Sequence, residues 1–258
     1  MMVTNVIEME WLDELKKKAL DIKRPPKELI EEIKKLDASL MYDGLRYQFG
    51  IHTFLRGIKP MFNFMRGNVY VGPAITVHMR LTNDEPPGKL IEEVQRTGRS
   101  REDARLTAID YAKPGDILVM GAPALPEGLC PWGECFSTFA KRNEIQTVVI
   151  NGGVRDTYGI EKMKLPVFAK WSSPAGAYEF VEDVDLNVPI QCGGVQVKPG
   201  DLIMGDGDGV IVIPADYAKE TLEYAKKKAE KEKYAMEVLA PSGKPALESL
   251  PPGRPRKP

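Results

Sequence analysis

Apolar residues recur at helical spacing early in the chain and give way to strand-like runs further on. Leu12, Leu15, Leu20, Leu29, Ile30, Ile33 and Leu36 carry the first pattern, broken at Arg24-Pro25-Pro26. Proline lacks the backbone N–H that a helix interior needs. The pattern therefore predicts two helices between Trp11 and Phe49, the second starting near Pro26. Val69-Tyr70-Val71, running through Gly72-Pro73 into Ala74-Ile75-Thr76-Val77, reads as a strand punctuated by a turn. Residues 99–112 predict a short helix closed by Lys113-Pro114-Gly115-Asp116, followed by a buried strand over Ile117–Gly121. A helix over Phe136–Asn143 and a second buried strand, Thr147–Ile150, come next, the latter ending in Asn151-Gly152-Gly153. Val167–Lys170 is short and strand-like.

Towards the end, Lys198-Pro199-Gly200-Asp201 repeats the Lys113–Asp116 turn, and both feed a strand. Val210–Ile213 is a further buried strand, and a charged helix with an apolar stripe of Tyr217, Leu222, Ala225, Ala229 and Met236 is expected from Asp216 to about Leu239. Strands cluster between 167 and 213 without intervening helices, so the class is α/β but not a simple alternation of strand and helix. Neither a GxGxxG loop nor a P-loop is present, since Gly205-Asp206-Gly207-Asp208-Gly209 has the wrong spacing and precedes a strand. That segment lacks the closing acid of a calcium loop and reads as turn chemistry.

Composition narrows the function. The 258 residues hold 36 basic and 37 acidic side chains, a formal net charge of −1, which argues against a dedicated nucleic-acid binder. Apolar runs fall well short of the ~20 residues that span a bilayer, and the acidic start MMVTNVIEMEWLDEL is unlike a secretory leader. The expectation is a cytoplasmic protein. Cys130, Cys135 and Cys192 are too few for a disulfide framework and are expected to be buried or partly buried free thiols. With only His52 and His78, and no GxSxG elbow, acid–base work would fall to carboxylates, arginine, metal and water.

Two glycine-rich polar segments interrupt the apolar pattern. Pro131-Trp132-Gly133-Glu134-Cys135-Phe136 opens a helix, where free backbone N–H groups suit a carboxylate or phosphate; ordinary helix capping fits it equally. Asn151-Gly152-Gly153-Val154-Arg155-Asp156 follows the end of a buried strand, where α/β proteins place ligands. Asp156 offers a hard oxygen to Mg²⁺ or Mn²⁺, and Arg155 offers fixed positive charge. A plain surface ion pair would look the same.

Taken together these residues resemble the RraA-like family, which includes 4-hydroxy-4-methyl-2-oxoglutarate aldolases and the regulator of ribonuclease activity A. The resemblance rests on Glu134, the twenty residues from Cys135 to Val154, and then Arg155-Asp156. Val71–Val77, Pro114-Gly115-Asp116, Asn187-Val188-Pro189, Gly193-Gly194-Val195, Pro199-Gly200-Asp201 and Asp206–Val210 agree in order. The similarity covers about residues 28 to 239. It implies a swivelling β/β/α-type single domain over 26–240 with a long C-terminal helix; residues 1–25 are an N-terminal helical extension beyond the family pattern, and the proline-rich 241–258 lacks a core pattern and is expected to be a disordered tail.

The resemblance further implies a metal-dependent lyase that cleaves a C–C bond beside a 2-keto acid and releases pyruvate, with oxaloacetate decarboxylation as a side activity. A non-catalytic, protein-binding regulator is the other reading. Homotrimers or homohexamers with sites between subunits are implied. Asp156 would bind Mg²⁺ or Mn²⁺, and Glu134 would hold a water on that metal. Backbone N–H groups around Gly133, Glu134, Cys135 and Phe136 would take the pyruvyl carboxylate, and Arg155 the keto oxygen. Glu232 from a neighbouring copy, with Glu230 as the fallback, would complete the site. The stretch Gly121–Pro131 is longer than the family pattern.

Overall fold

The computed structural model of the chain describes residues 2–82, 87–123 and 125–243. Three helices come first: α1 (Met2–Leu20), α2 (Lys27–Ile33) and α3 (Ala38–Phe49). Two were expected from the hydrophobic spacing. The second divides because Asp37, in extended backbone, accepts a hydrogen bond from the Leu40 N–H at 2.7 Å and caps a new helix. The left-handed Gly50 ends it. Strand β1 (Lys59–Pro60) precedes the twelve-residue β2 (Tyr70–Leu81), around which the sheet is built. Then follow α4 (Pro87–Thr97), α5 (Asp103–Tyr111), β3 (Ile117–Gly121) and α6 (Glu134–Arg142). The chain continues through β4 (Thr147–Ile150), β5 (Gly153–Val154) and α7 (Thr157–Met163) to β6 (Val167–Ala169) and β7 (Trp171–Ser172). Five strands without a helix between them come next: β8 (Val181–Leu186), β9 (Ile190–Cys192), β10 (Val195–Val197), β11 (Leu202–Gly205) and β12 (Val210–Ile213). Helix α8 (Ala218–Tyr234) closes the order.

The main sheet runs β1-β6-β4-β3-β2-β11-β12. Its heart, β2 with β3, β4 and β6, is parallel. Strand β2 is long enough to serve two antiparallel partners, β11 along Tyr70–Pro73 and β8 along Val77–Leu81, with a register shift after His78. Parallel strands covered on both faces read as unbroken apolar runs, as Ile117–Gly121 and Thr147–Ile150 do, every residue buried. Two apolar clusters result. The larger surrounds β2, β3, β4 and β6 and takes in Trp132, Ile160 and Phe168. The smaller lies between α2, α3, α8 and the β11–β12 edge. This is the mixed α/β fold with N-terminal helices and a long C-terminal helix that the sequence implied.

Helix α1 is tied to the body: Leu15 is fully buried, Lys18 meets Asp185 at 2.8 Å, and Arg24 grips Asp116 through two bonds of 2.8 and 2.7 Å. The repeated turn is a repeated structure. Asp116 accepts from the Lys113 N–H at 2.7 Å and Asp201 from the Lys198 N–H at 2.8 Å, each beside a glycine with positive φ. The Gly205–Gly209 segment is the β11–β12 turn, closed by the Asp206 side chain on the Asp208 N–H. Of the tail expected at 241–258, residues from 244 on lie outside the described residues.

Candidate functional site

Beyond the C-terminal ends of β3 and β4 two segments meet. The chain from Cys130 to Gly133 runs beside β5: Trp132 bridges Val154, and the Arg155 N–H donates to the Trp132 carbonyl at 2.9 Å. Trp132 is fully buried, its indole N–H on Ser137 Oγ at 2.7 Å, and Ser137 in turn donates to the Gly133 carbonyl at 2.9 Å. These bonds fix the start of α6. Gly133 caps it in extended backbone, packed against Arg155 and Asp156, and the first-turn N–H groups are ones that no helix can satisfy internally.

The contacts there are close. The Glu134 N–H donates to Asp156 Oδ2 at 3.2 Å. A Cβ placed on Gly133 would stand 2.6 Å from Asp156 Oδ2 and 3.3 Å from Arg155 Nε. A Cβ on Gly176 would stand 3.0 Å from Arg155 Nη1, so the guanidinium lies between two glycines. A Cβ on Gly159 would strike the Glu134 carboxylate at 2.1–2.3 Å, which places that carboxylate over the first turn of α7. Arg155 and Asp156 are 3.7 Å apart, with side chains 47% and 45% exposed. An exposed pair at that distance is a weak ion pair, so both groups keep capacity for a ligand. Asp156 itself is left-handed (φ 56°, ψ 38°), a conformation that Asp adopts more readily than most residues.

Beneath this rim lies an ion pair that sequence reasoning missed. Arg105 on α5 and Asp183 on β8 are both buried and joined by two 2.8 Å bonds, Nε to Oδ2 and Nη2 to Oδ1. Arg105 also donates through Nη1 to the Pro131 carbonyl, and its guanidinium stacks 5.2 Å from the Phe136 ring. Removing one partner of such a pair costs about 3–5 kcal/mol, because the other is left charged and buried. Glu102 sits 3.6 Å from Arg105, half-buried; burial raises its pKa above the usual carboxylate range, against the opposing pull of Arg105. Nothing in the run Arg99–Asp110 marks either residue, since the partner on β8 is remote in sequence.

Gly133, Glu134, Arg155 and Asp156 are thus in contact, with Cys135 and Phe136 following in the first turn of α6. Glu232 is not among them within one chain: it pairs with Lys228 on α8, which packs on α3, and Glu230 is exposed on the same helix. Cys135, in the first turn of α6, is exposed, unlike the buried or partly buried thiols expected; Cys130 and Cys192 are buried. Among the described residues no group of three or more His, Cys, Asp or Glu side chains could hold a metal, and no helix is long and apolar enough to cross a membrane.

The family model described as RraA-like (Aldolase/RraA) matches residues 37–212. An uncharacterized protein of Methanocaldococcus jannaschii is 42% identical over 188 residues, 72% of this chain and 79% of that one. A relative from Halalkalibacterium halodurans, provisionally named 4-hydroxy-4-methyl-2-oxoglutarate aldolase, is 38% identical over 128 residues. That match spans 48% of this chain and 59%, less than two thirds, of the relative's length. An uncharacterized protein from Pseudomonas syringae shares the fold, with a TM-score of 0.71 at 24% identity over 88% of this chain and 98% of its own.

Proposed function

Because the chain belongs to the RraA-like family, we propose that it is a divalent-metal-dependent carbon–carbon lyase acting on a 2-keto acid such as 4-hydroxy-4-methyl-2-oxoglutarate. Oxaloacetate decarboxylation is its side activity. The observation that supports this reading is the placement of Arg155 and Asp156, half-exposed and weakly paired, on one rim with the first turn of α6.

The donor set fits a hard, water-rich ion. One carboxylate, Asp156, keeps lone pairs beyond the one that accepts from the Glu134 N–H, and a second, Glu134, lies over Gly159 on the helix that Asp156 opens. Mg²⁺ keeps several waters and needs only one or two carboxylates, and Mn²⁺ accepts the same oxygens. Bound there, such an ion supplies positive charge beside the developing enolate oxygen.

The remaining work falls to side chains of this chain. First-turn N–H groups of Cys135 and Phe136, with that of Glu134 shared with Asp156, receive the pyruvyl carboxylate, where the helix dipole favours negative charge. Arg155 contacts the 2-keto oxygen and stabilises it as C3–C4 breaks and the bonding pair moves into the enolate. Such preorganised charge is the large term in many enzymes. The C4 hydroxyl loses its proton and becomes the carbonyl of the second product. Glu134 orients the water that takes that proton and later returns one to the enolate carbon. Glu232 from a neighbouring copy closes the site in a homotrimer or homohexamer.

The test is pyruvate release from oxaloacetate and from 4-hydroxy-4-methyl-2-oxoglutarate, with Mg²⁺ or with a chelator. Asn tolerates left-handed backbone, so Asp156→Asn removes the charge and keeps the turn; metal-dependent turnover should vanish. Arg155→Ala should lose about 10²–10³-fold, the cost of one oxyanion donor. Metal-independent release, or wild-type rates in Asp156→Asn, would contradict the assignment. No release at all from folded protein would move it to the non-catalytic reading.

A further inference from the structure

We infer that Arg105 is a positioning residue of this site: its fork, held by Asp183, fixes the Pro131 carbonyl and thereby the direction in which Gly133–Phe136 present their N–H groups. The inference rests on the lyase reading for its kinetic consequence, but not for its geometry.

Three observations converge. All of the guanidinium is committed: Nε and Nη2 to Asp183, Nη1 to the Pro131 carbonyl. Asp183 is held in turn, accepting from the Arg105 N–H at 3.1 Å while its own N–H donates to the Arg101 carbonyl at 2.7 Å. The carbonyl that is gripped lies two residues before Gly133, in the short segment whose other anchors are the Trp132–Val154 bridge and the Trp132–Ser137–Gly133 bonds. A planar fork fixes three directions at once, which an ammonium cannot reproduce. The same guanidinium faces the ring of Phe136, so the loop and the helix it opens are set by one group.

A second fork, buried on its carboxylate side and part-buried on its arginine side, supplies the control. Arg24 grips Asp116 with bonds of 2.8 and 2.7 Å, at the start of β3, the end of that strand opposite the site. Arg105→Lys and Arg24→Lys each keep the charge and lose the fork. Both variants, with Asp183→Asn as a second lesion of the first pair, are compared in the full chain after circular dichroism establishes folding. Amide hydrogen exchange is the readout that needs no turnover: the peptide covering 131–137 should exchange at least tenfold faster in Arg105→Lys and Asp183→Asn, and unchanged in Arg24→Lys. With Mg²⁺ and oxaloacetate, KM should rise tenfold or more in the first two with kcat within threefold, because carboxylate binding is shared by ground and transition states.

Exchange and KM no different from those of Arg24→Lys would overturn the inference. So would failure of both Arg105→Lys and Asp183→Asn to fold at 20 °C, which would make the pair purely structural. A wild-type protein that releases no pyruvate removes the lyase reading instead, and the exchange comparison still decides the positioning role.

Discussion

Gly133→Ala places one methyl group where the site is tightest. Gly133 lies in extended backbone (φ −151°, ψ −171°), which alanine adopts without strain, so the effect is confined to what the new Cβ meets. It meets Asp156 Oδ2 at 2.6 Å, Arg155 Cγ at 3.2 Å and Arg155 Nε at 3.3 Å. An ordinary contact needs well over 3 Å, so the carboxylate must retreat by roughly 0.5–1 Å, and the guanidinium has little slack against Gly176. Misplacement by about 1 Å costs about 10²-fold in a positioned reaction. The expected loss in kcat/KM is therefore about 10- to 100-fold, or about 1.4–2.7 kcal/mol of transition-state stabilisation. Stability should barely move. Alanine is a poorer N-cap than glycine by about 0.5–1 kcal/mol, which shifts Tm by about 1–4 °C in a chain of this size. Coupling pyruvate release to lactate dehydrogenase, over a Mg²⁺ series and beside a calorimetric melt, separates the two effects. Activity within twofold of wild type, at unchanged Mg²⁺ dependence, would show that Asp156 and Arg155 are not held where the chemistry needs them.

Three further outcomes follow from other contacts. Gly159→Ala drives the Glu134 carboxylate off α7 and should lower kcat at least tenfold with little change in Tm, read in the same coupled assay. Burial pushes the Cys192 thiol up to about 12 and raises that of Cys130, whereas Cys135 is exposed. An aromatic disulfide at pH 8 should accordingly titrate one thiol quickly in native protein and three in guanidinium. Burial raises the pKa of Glu102, so the folded chain holds that proton to a higher pH than the unfolded chain does. Its contribution to stability is present below the unfolded pKa and lost as pH rises through the folded one. Glu102→Gln should thus match wild type in melts near pH 4 and exceed it near pH 7; a gap that narrows with rising pH would reverse the sign of that reasoning.

Much of the architecture was legible because it depends on local pattern. The short, β-branched apolar runs of β3, β4 and β12, bounded by turn residues, read as buried strands, and the two Lys-Pro-Gly-Asp turns announced the strands they feed. Arg155-Asp156 stood out by following such a run with glycines between. Other elements were hidden for physical reasons. Val181–Leu186 (β8) alternates only partly and carries three acids, one of which, Asp183, is buried by a partner 78 residues away. Its pairing with β2 is long-range and leaves no local trace. The α2–α3 break turns on a single aspartate, Asp37, inside what looks like continuous helical spacing. Glycines 159 and 176 owe their importance to Glu134 and Arg155 pressing on them from other segments, which no one-dimensional pattern records.

The left-handed backbone at Asp156 sets two kinds of selection against each other. A side chain in that conformation carries a penalty of roughly 1–2 kcal/mol that glycine would not. A library of this chain screened for heat resistance should drift towards glycine or asparagine at 156, while one screened for growth on its substrate should hold aspartate fixed. Whichever residue wins under the two regimes would reveal, without any purified protein, whether the position is kept for its shape or for its charge.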